Sequence, residues 1–373
     1  MNIIRTIHPV GQGAFYSEEF ICDNGNTVLM VYDCGSNSKH SFLRSEISSF
    51  FQQRKEIDIL FISHFDKDHL NGIAMLHTQG VTIKNVVIPL IDKNNEWFYI
   101  CSGSRYVKSA IKKPLNFFKA KNVIRVRPLN NDREQAAEEE NPVNIEEYDA
   151  ETIDSGTKIS TKAIKPEWYY IPFNFDETAR IKQLEQELQS KKIDILQIHD
   201  ATYLSKNRTV INEAYKKVAN NSSNKTSLIV YSGSNNRNSH IANFCNYHNT
   251  CVKKCSLCKA YSIRSGCLFL GDTDLNQTRG NGIGILTDLD TYLCRYKDNV
   301  GTIQIPHHGS LPNFNTALFS TFPQSEIFYA SFGTDNQYGH PSTQVINDIN
   351  RRGHYYFGVN ECKYSGIMET FHI

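Results

Sequence analysis

The 373-residue sequence has no apolar run approaching the roughly 18 residues that a membrane-spanning helix requires. Its first residues, MNIIRTIHPVGQG, also lack the continuous apolar segment of a secretory leader. From these two absences we expect a cytoplasmic protein with no membrane partner.

The sequence also lacks a large net charge of either sign. Forty Lys and Arg residues against 39 Asp and Glu residues give a net charge of +1. This balance excludes a uniformly basic coat for nucleic acid, so that local patches must carry any such role. The sequence has no internal repeat, and no linker rich in Pro or Gly divides it. We therefore expect one domain over residues 1–373, although its length would also allow two.

Short apolar runs alternate with helical patterns along much of the chain. NIIRTIHPV and TVLMVYDCG predict strands, SFLRSEISSFFQQR predicts a helix, and IDILFIS predicts a strand buried on both faces. Further strand-like runs return after residue 226. This order predicts a layered α/β sandwich.

The middle of the chain differs from this pattern, and we expect residues 92–222 to form a largely helical, charged insertion. Residues 104–127 are basic, with Tyr106, Phe117 and Phe118 among the lysines and arginines, whereas residues 132–151 are strongly acidic. The basic segment could follow a nucleic-acid backbone and stack bases. It could equally be an amphipathic helix with a buried aromatic stripe. The insertion is also a candidate surface for a protein partner.

One short stretch, FISHFDKDHLNG, predicts a metal site. Side chains two apart in an extended segment point the same way, so His64 and Asp66 can converge while a turn brings in Asp68 and His69. Imidazoles and carboxylates suit zinc, and the carboxylate-rich balance also suits manganese. The alternative is that Asp68 caps a helix and the histidines lie on the surface.

Two later motifs offer further ligands. FLGDTD contains Asp272 and Asp274, and IPHHGS contains His307 and His308. Each motif follows an apolar strand, as His64 does, so the side chains can meet at one edge of a sheet. Such a set is typical of a site for two divalent ions, which can generate a metal-bound hydroxide and clamp a phosphoryl oxygen.

With these motifs the chain resembles the metallo-β-lactamase-fold hydrolases, whose signature His-x-His-x-Asp-His reads H-F-D-K-D-H here. VGQGAF, VYDCG, NKTS, LGDTD, PHHGS and YGHPS occur in the order found in the metallo-β-lactamase domain of the competence DNA-uptake protein ComEC and its stand-alone relatives. The resemblance implies a metallo-β-lactamase αββα sandwich, decorated by the large middle insertion and a small Cys-rich insert.

The resemblance also implies a role for individual residues. His64 and Asp66 would hold one metal, Asp68 and His69 would hold the second, Asp272 would bridge them, and His307 would complete the set. His308 and His340 would contact phosphate or donate a proton. The residues expected to support the ligands are Asp33, Asn224 and Asp274.

The sequence departs from the signature at Asp66, where the family usually has a histidine. The additional carboxylate favours harder cations and makes manganese as plausible as zinc. The usual histidine before the Gly-Asp motif also has no clear counterpart, because NKTS occupies that region.

A second cluster of ligand-type residues lies in CNYHNTCVKKCSLC. It contains Cys245, His248, Cys251, Cys255 and Cys258, within an insert that we place at residues 233–264. A segment this short cannot bury a core of its own, so a structural zinc would stabilise it as a hairpin. Free thiols in a loop are the alternative.

Two classes of function stay open from the sequence. The first is a dinuclear-metal phosphodiesterase or nuclease acting on DNA, RNA or a nucleotide, which could serve in defence against foreign DNA. The second is a metallohydrolase of another ester, such as a phosphocholine-type ester or a lactone, or a hydrolase controlled by a protein partner. Fold alone does not decide between them.

Overall fold

The structure, a computed structural model, describes residues 1–101, 105–129, 142–165, 167–175, 178–219, 227–234, 240–245, 259–278 and 282–373. Two large β-sheets dominate these residues. Their strands are β1 (Asn2–Ile7), β2 (Phe15–Ile21), β3 (Thr27–Cys34), β4 (Glu56–Phe61), β5 (Thr82–Pro89), β6 (Ala120–Arg127), β7 (Val143–Asn144), β8 (Thr152–Asp154), β9 (Ile159–Ser160), β10 (Trp168–Phe173), β11 (Ile229–Ser234), β12 (His240–Cys245), β13 (Lys259–Ile263), β14 (Gly266–Phe269), β15 (Val300–Gln304), β16 (Ile327–Ser331), β17 (Tyr355–Val359) and β18 (Ile367–His372).

The first sheet has the strand order β13-β12-β18-β1-β2-β3-β4-β5-β6-β8, and the second has the order β17-β16-β15-β14-β11-β10-β9-β7. In the first sheet, β3, β4, β5, β6 and β8 run parallel to one another. In the second, β14, β15, β16 and β17 do the same. Parallel strands end on the same side of a sheet, so the loops after them gather at one edge.

The helices are α1 (His40–Phe50), α2 (Lys67–Leu70), α3 (Ile73–Thr78), α4 (Glu96–Ile100), α5 (Arg105–Lys112), α6 (Pro114–Phe118), α7 (Thr178–Ser190), α8 (Ala201–Lys206), α9 (Arg208–Ala219), α10 (Ile285–Tyr292), α11 (Leu318–Thr321) and α12 (Thr343–Arg351). None of them, in the part of the chain that the structure describes, combines the length and apolar composition needed to cross a membrane.

The alternation of side chains along the strands builds the layers. In β3, Met30 and Tyr32 point into the core between the two sheets, whereas Leu29 and Val31 point to the outer core. This period of two is the geometry of an extended strand buried on both faces. Helices α1, α3, α5 and α6 cover the outer face of the first sheet, and α10, α11 and α12 cover that of the second. The predicted αββα sandwich is confirmed.

The middle of the chain contributes to both sheets. Between residues 92 and 222, strands β6 and β8 join the first sheet while β7, β9 and β10 join the second. Helices α4, α7 and α9 form a separate apolar cluster that includes Trp97, Leu184 and Ile211. The division of the chain at residues 92–222 and 233–264 stays a prediction. Within the second range, β12 and β13 pair antiparallel at the edge of the first sheet.

The aromatic residues of the basic segment face inward. Phe118 is fully buried, and Tyr106 and Phe117 pack half-buried against the outer core of the first sheet. The lysines described in α5 and at the two ends of α6 are exposed, except for the half-buried Lys108. The segment therefore follows the amphipathic alternative, in which the aromatic stripe supports the fold.

Candidate metal centre

The candidate ligands lie where parallel strands of the two sheets end. Asp33 is the next-to-last residue of β3, and His64 lies in the loop after β4. In the second sheet, Asp272 follows β14, and His307 and His308 follow β15. Loops at the carboxyl ends of parallel strands are the usual place for a ligand site in such folds.

Two glycines let the loop that contains Asp68 come close to the loop after β3. An added Cβ at Gly35 would lie 2.6 Å from the backbone oxygen of Asp68, and one at Gly13 would lie 2.8 Å from it. The Ala14 N–H donates to this Asp68 oxygen at 3.2 Å and also to the backbone oxygen of Gly35 at 3.1 Å. The close approach fixes the position of α2, and with it the directions of the Asp68 and His69 side chains.

A third glycine positions the predicted bridging carboxylate. Gly271 has a φ of +54°, and a Cβ there would lie 2.7 Å from Ser227 Cβ and 2.9 Å from Ser63 Cβ. The next residue, Asp272, is buried and donates its backbone N–H to Ser227 Oγ at 2.9 Å. The turn therefore brings the Asp272 carboxylate from the second sheet to the histidines of the first.

Three imidazole Nε2 atoms face carboxylates across the centre. His64 Nε2 lies 3.8 Å from Asp272 Oδ2, His69 Nε2 lies 3.5 Å from Asp272 Oδ1, and His308 Nε2 lies 3.5 Å from Asp68 Oδ2. The ligand atoms form two groups, each with its members within 4.8 Å of one another. The groups are His64, His69 and Asp272, and Asp68, His69 and His308.

The opposite ring nitrogens are already used as donors. His69 Nδ1 lies 2.8 Å from Asp33 Oδ2, and His308 Nδ1 lies 2.8 Å from the backbone oxygen of Ser331. An ionised carboxylate and a carbonyl oxygen can only accept, so each Nδ1 carries the hydrogen. In the neutral ring each Nε2 then presents a lone pair to the centre, which is the state that a metal ligand requires.

His64 also carries its hydrogen on Nδ1, because Ser63 lies between it and Asp33. Its Nδ1 lies 2.9 Å from Ser63 Oγ, which itself lies 2.6 Å from Asp33 Oδ2. Because the hydroxyl has one hydrogen and donates it to the carboxylate, its oxygen accepts from His64 Nδ1. Asp33 therefore controls the orientation of both His64 and His69.

The residues fit a divalent cation. His64 Nε2, His69 Nε2 and Asp272 Oδ1 are buried and have no hydrogen-bond partner among the described residues. Leaving a buried polar atom unsatisfied costs about 1–3 kcal/mol. Lone pairs and carboxylate oxygens at these distances repel one another unless a positive charge lies between them. A cation bound by these atoms would satisfy all three.

The pKa shifts of three residues also favour positive charge at the centre. Burial opposes protonation of His69, but Asp33 and Asp272 raise its pKa well above the usual value. Burial alone would raise the pKa of Asp272, but His69 and His307 hold it well below its usual range. Burial and the nearby His69 lower the pKa of His64. Asp272 is thus ionised and His64 neutral, the forms that bind metals.

The two adjacent histidines differ in position. His308 joins the ligand group that contains Asp68, whereas the resemblance had implied that His307 completes the set. His307 Nε2 lies 3.9 Å from Asp272 Oδ2, and its Nδ1 lies 3.0 Å from Asn313 Oδ1. His307 therefore lies beside the Asp272 carboxylate, at the rim of the centre, and is more exposed than His308.

The other predicted residues lie as follows. Asp66 is half-buried at the N-terminal cap of α2 and belongs to neither ligand group among the described residues. Asp274 accepts a hydrogen bond from the Asn276 N–H in the turn after β14. His340 has its ring 5.5 Å from that of His307. Asp33 supports the ligands as described above.

Several predicted residues fall outside the described part of the chain. They are Asn224, His248, Cys251, Cys255 and Cys258. Cys245, the remaining member of the predicted structural zinc site, is the last residue of β12.

Two serines at the centre were given no role from the sequence. Ser63 links Asp33 to His64, and Ser227 lies 3.2 Å from His64 Nδ1 while it accepts the Asp272 N–H. Both lie inside quoted motifs, Ser63 directly before His64 and Ser227 at the end of NKTS. Their adjacency to a ligand was the signal that could have indicated them.

Comparison with known proteins gives the following similarities. No protein-family model matches the chain. A stretch of 99 residues, 25% of this chain and 28% of the relative, is 27% identical to Ribonuclease Z of Trichodesmium erythraeum (strain IMS101). The chain thus spans just over a quarter of the length of that curated relative.

Solved structures similar to the chain have low sequence identity. A diphosphatase from the PhnP family has a TM-score of 0.34 and 8% identity, over 88% of this chain and 85% of that one. The metallo-β-lactamase-fold protein YhfI from Bacillus subtilis has a TM-score of 0.29 and 10% identity, over 89% and 98%. The metallo-β-lactamase MIM-1 from Novosphingobium pentaromativorans has a TM-score of 0.29 and 10% identity, over 96% and 85%.

Proposed function

We propose that the chain is a metal-dependent hydrolase of phosphodiesters, with a nucleic acid or a nucleotide as substrate. The observation that carries this proposal is the pair of overlapping ligand groups, in which buried Nε2 lone pairs face the carboxylates of Asp68 and Asp272. A purely structural cluster of this kind would leave several buried polar atoms unsatisfied, which argues for a bound cation.

Both ligand groups contain His69, and this limits which residues can bind each ion. His69 offers only Nε2, because its Nδ1 donates to Asp33. A single nitrogen lone pair binds one ion, so the two groups cannot both use it. We propose that one divalent ion binds tightly to Asp68, His69 and His308, and a second binds more weakly to His64 and Asp272, with Asp66 as a candidate additional ligand.

Zinc and manganese both suit a set of imidazoles and carboxylates. When bound, such ions would polarise a phosphoryl oxygen and lower the pKa of water at the centre. This chain's own residues contribute the orientation. Asp33 and Ser63 hold the imidazole rings with Nε2 toward the centre, and Gly271 allows Asp272 to approach them.

The histidines at the rim are the candidates for contact with substrate. Burial, together with His307 and His308, lowers the pKa of His340 to about 4. His340 is therefore neutral near pH 7 and suits a hydrogen bond to phosphate better than proton donation. His307 donates its Nδ1 hydrogen to Asn313 Oδ1 and leaves the Nε2 lone pair toward Asp272. From there Nε2 could accept a proton from the attacking water and then pass that proton to the leaving oxygen.

A basic groove supports a polyanionic substrate. It lies between α6 and β6, has a volume of about 510 Å³, and is lined by Lys112, Lys113, Lys121 and Arg125. Asp149 and Glu151 also line it, and Glu151 pairs with Arg125 at 3.5 Å. The cations outnumber the acidic residues there, which favours phosphate backbones. The similarity to a ribonuclease over 99 residues points to the same class of substrate.

The test is hydrolysis by metal-stripped protein that is resupplied separately with manganese and zinc. The substrates are bis(p-nitrophenyl) phosphate and labelled single- and double-stranded DNA and RNA. We expect cleavage that returns with metal and is lost in Asp68→Ala, while the surface variant Asp290→Ala retains it.

Three results would overturn the proposal. They are cleavage that survives in Asp68→Ala, cleavage that persists without metal, and hydrolysis of a lactone or a phosphocholine ester by metal-loaded protein that leaves bis(p-nitrophenyl) phosphate and the nucleic acids intact. The last result would move the assignment to the second class of hydrolase.

A further inference from the structure

An exposed aromatic side chain lies close to the candidate metal centre. Tyr338 is 71% exposed. This is a larger fraction than that of the other exposed tyrosines and phenylalanines in the described part of the chain. Its ring stacks on that of His340, with the centroids 5.8 Å apart and the planes 18° from parallel. Most of the Tyr338 surface is open to solvent, so a second flat ring could stack on it.

A row of rings connects Tyr338 to the centre. The His340 ring lies 5.5 Å from that of His307, and His307 Nε2 lies 3.9 Å from Asp272 Oδ2. Tyr338 is thus the outermost of three rings that begin beside the Asp272 carboxylate. A group stacked on Tyr338 would be close to the place where we propose that the phosphodiester binds.

The turn that contains Tyr338 is held by one side chain. Asn336 Oδ1 accepts from the Tyr338 N–H at 3.1 Å and the His340 N–H at 3.0 Å, and Asn336 Nδ2 donates to the backbone oxygens of Gly333 and His340 at 2.6 and 2.7 Å. The Gly333 N–H in turn donates to Gln12 Oε1. These bonds hold the backbone of the turn in place before any substrate arrives, which lowers the entropy cost of positioning the ring for stacking.

We propose that Tyr338 and His340 form a stacking subsite for a nucleobase attached to the phosphodiester that is cleaved. This inference rests on the proposed function and adds its substrate class. Base stacking on an aromatic side chain tolerates different bases, because every base has a flat π-face. The subsite would therefore favour nucleotide substrates over other phosphodiesters without selecting a sequence.

The test compares substrates with equal charge. Metal-loaded wild type, Tyr338→Ala and Tyr338→Phe are assayed on hexathymidylate and hexauridylate, and on hexamers of the same sugars that lack bases. In Tyr338→Ala we expect KM for the base-containing hexamer to rise at least about fivefold. The kcat for that hexamer and the KM for the abasic hexamer should not change, and Tyr338→Phe should behave as wild type.

The other possible results would overturn either the stacking subsite alone or the proposed function as well. Equal KM values for wild type and Tyr338→Ala, with cleavage intact, overturn the subsite alone. The same rise in KM for base-containing and abasic hexamers shows a structural effect and also overturns it. If wild type cleaves bis(p-nitrophenyl) phosphate but none of the hexamers, the subsite fails and the phosphodiesterase stands. If it cleaves neither, the proposed function fails and the subsite fails with it.

Discussion

At the scale of single residues, the hydrogen bonds of the imidazole rings decide what the centre can bind. His69 and His308 each commit Nδ1 to an oxygen that only accepts, and His64 does so through Ser63. Asp33 is the common acceptor for His69 and Ser63, although its φ of +56° is unusual for a residue other than glycine. A strained, buried carboxylate in this position is consistent with a role in the site and not in the core alone.

The two histidines of PHHGS give a prediction at this scale. Since His308 Nε2 lies with Asp68 and His69, His308→Ala should weaken binding of the tighter divalent ion at least about tenfold. In His307→Ala the metal affinity should stay near that of wild type, while kcat falls. Isothermal titration calorimetry and phosphodiester kinetics on both variants separate these effects. Loss of metal from His307→Ala alone would restore the assignment made from the sequence.

The sequence could predict the ligand types but not how these two residues divide their roles. Both adopt left-handed backbone, with φ of 48° at His307 and 57° at His308. Two consecutive non-glycine residues in the left-handed region are uncommon, and the sequence His-His does not predict this conformation. The backbone turn decides which ring points inward. His64, Asp68, His69 and Asp272 could be predicted as candidate ligands because their motifs come shortly after strands, three of them after β4 and Asp272 after β14.

At the scale of secondary structure, short loops after parallel strands place the ligands, and glycines allow those loops to touch. Gly35 lies at the end of β3, and α2 packs directly on it through the backbone of Asp68 and His69. Any side chain at Gly35 would push α2 outward. The position of a four-residue helix thus depends on a missing Cβ in another element.

Gly35→Ala tests this dependence. The added Cβ would lie 2.6 Å from the Asp68 oxygen, so we expect a loss of about 1–3 kcal/mol in the free energy of unfolding. Metal affinity should fall as well, because Asp68 and His69 move together. Gly284→Ala is the matched control, since its nearest neighbouring atom lies 3.9 Å away. Wild-type metal binding by Gly35→Ala, measured by calorimetry, would show that α2 does not depend on this contact.

Some elements could not be read from the sequence. Strand β2, FYSEEFI, contains two adjacent glutamates that break the apolar pattern of a buried strand. Glu18 is nevertheless fully buried, because Arg5 of the neighbouring strand pairs with it. The long-range partner makes the strand possible, and local sequence gives no sign of it.

At the scale of the whole molecule, a buried ionic network joins the two sheets. Arg5 donates to Glu18 at 2.7 Å and to Glu369 at 2.6 Å, all three side chains being fully buried in the first sheet. From the second sheet, Tyr170 donates to Glu18 and Thr302 donates to Glu369, each at 3.0 Å. Burial, opposed by Arg5, raises the pKa of Glu369. The network fixes the relative position of the sheets whose edges form the centre.

Removing the cation should therefore destabilise the whole fold. Arg5→Met leaves two buried carboxylates without their partner, and we expect a loss of about 3–5 kcal/mol in the free energy of unfolding. Arg127→Met is the control, because its ion pair with Asp154 is 48% exposed on the arginine side and should contribute about 1 kcal/mol or less. Urea denaturation followed by circular dichroism measures both. Similar losses in the two variants would mean that the buried network is not what holds the sheets together.

If the His and Asp residues at the sheet edges form a metal centre, the protein binds divalent ions through them. Metal binding can be measured directly. Metal-stripped wild type, Asp272→Asn and the surface control Asp290→Asn are titrated with manganese and with zinc by isothermal titration calorimetry. We predict two binding events of unequal affinity for wild type and Asp290→Asn, and affinity reduced at least about tenfold in Asp272→Asn. Absence of binding to wild type, or equal binding by Asp272→Asn, would contradict the account.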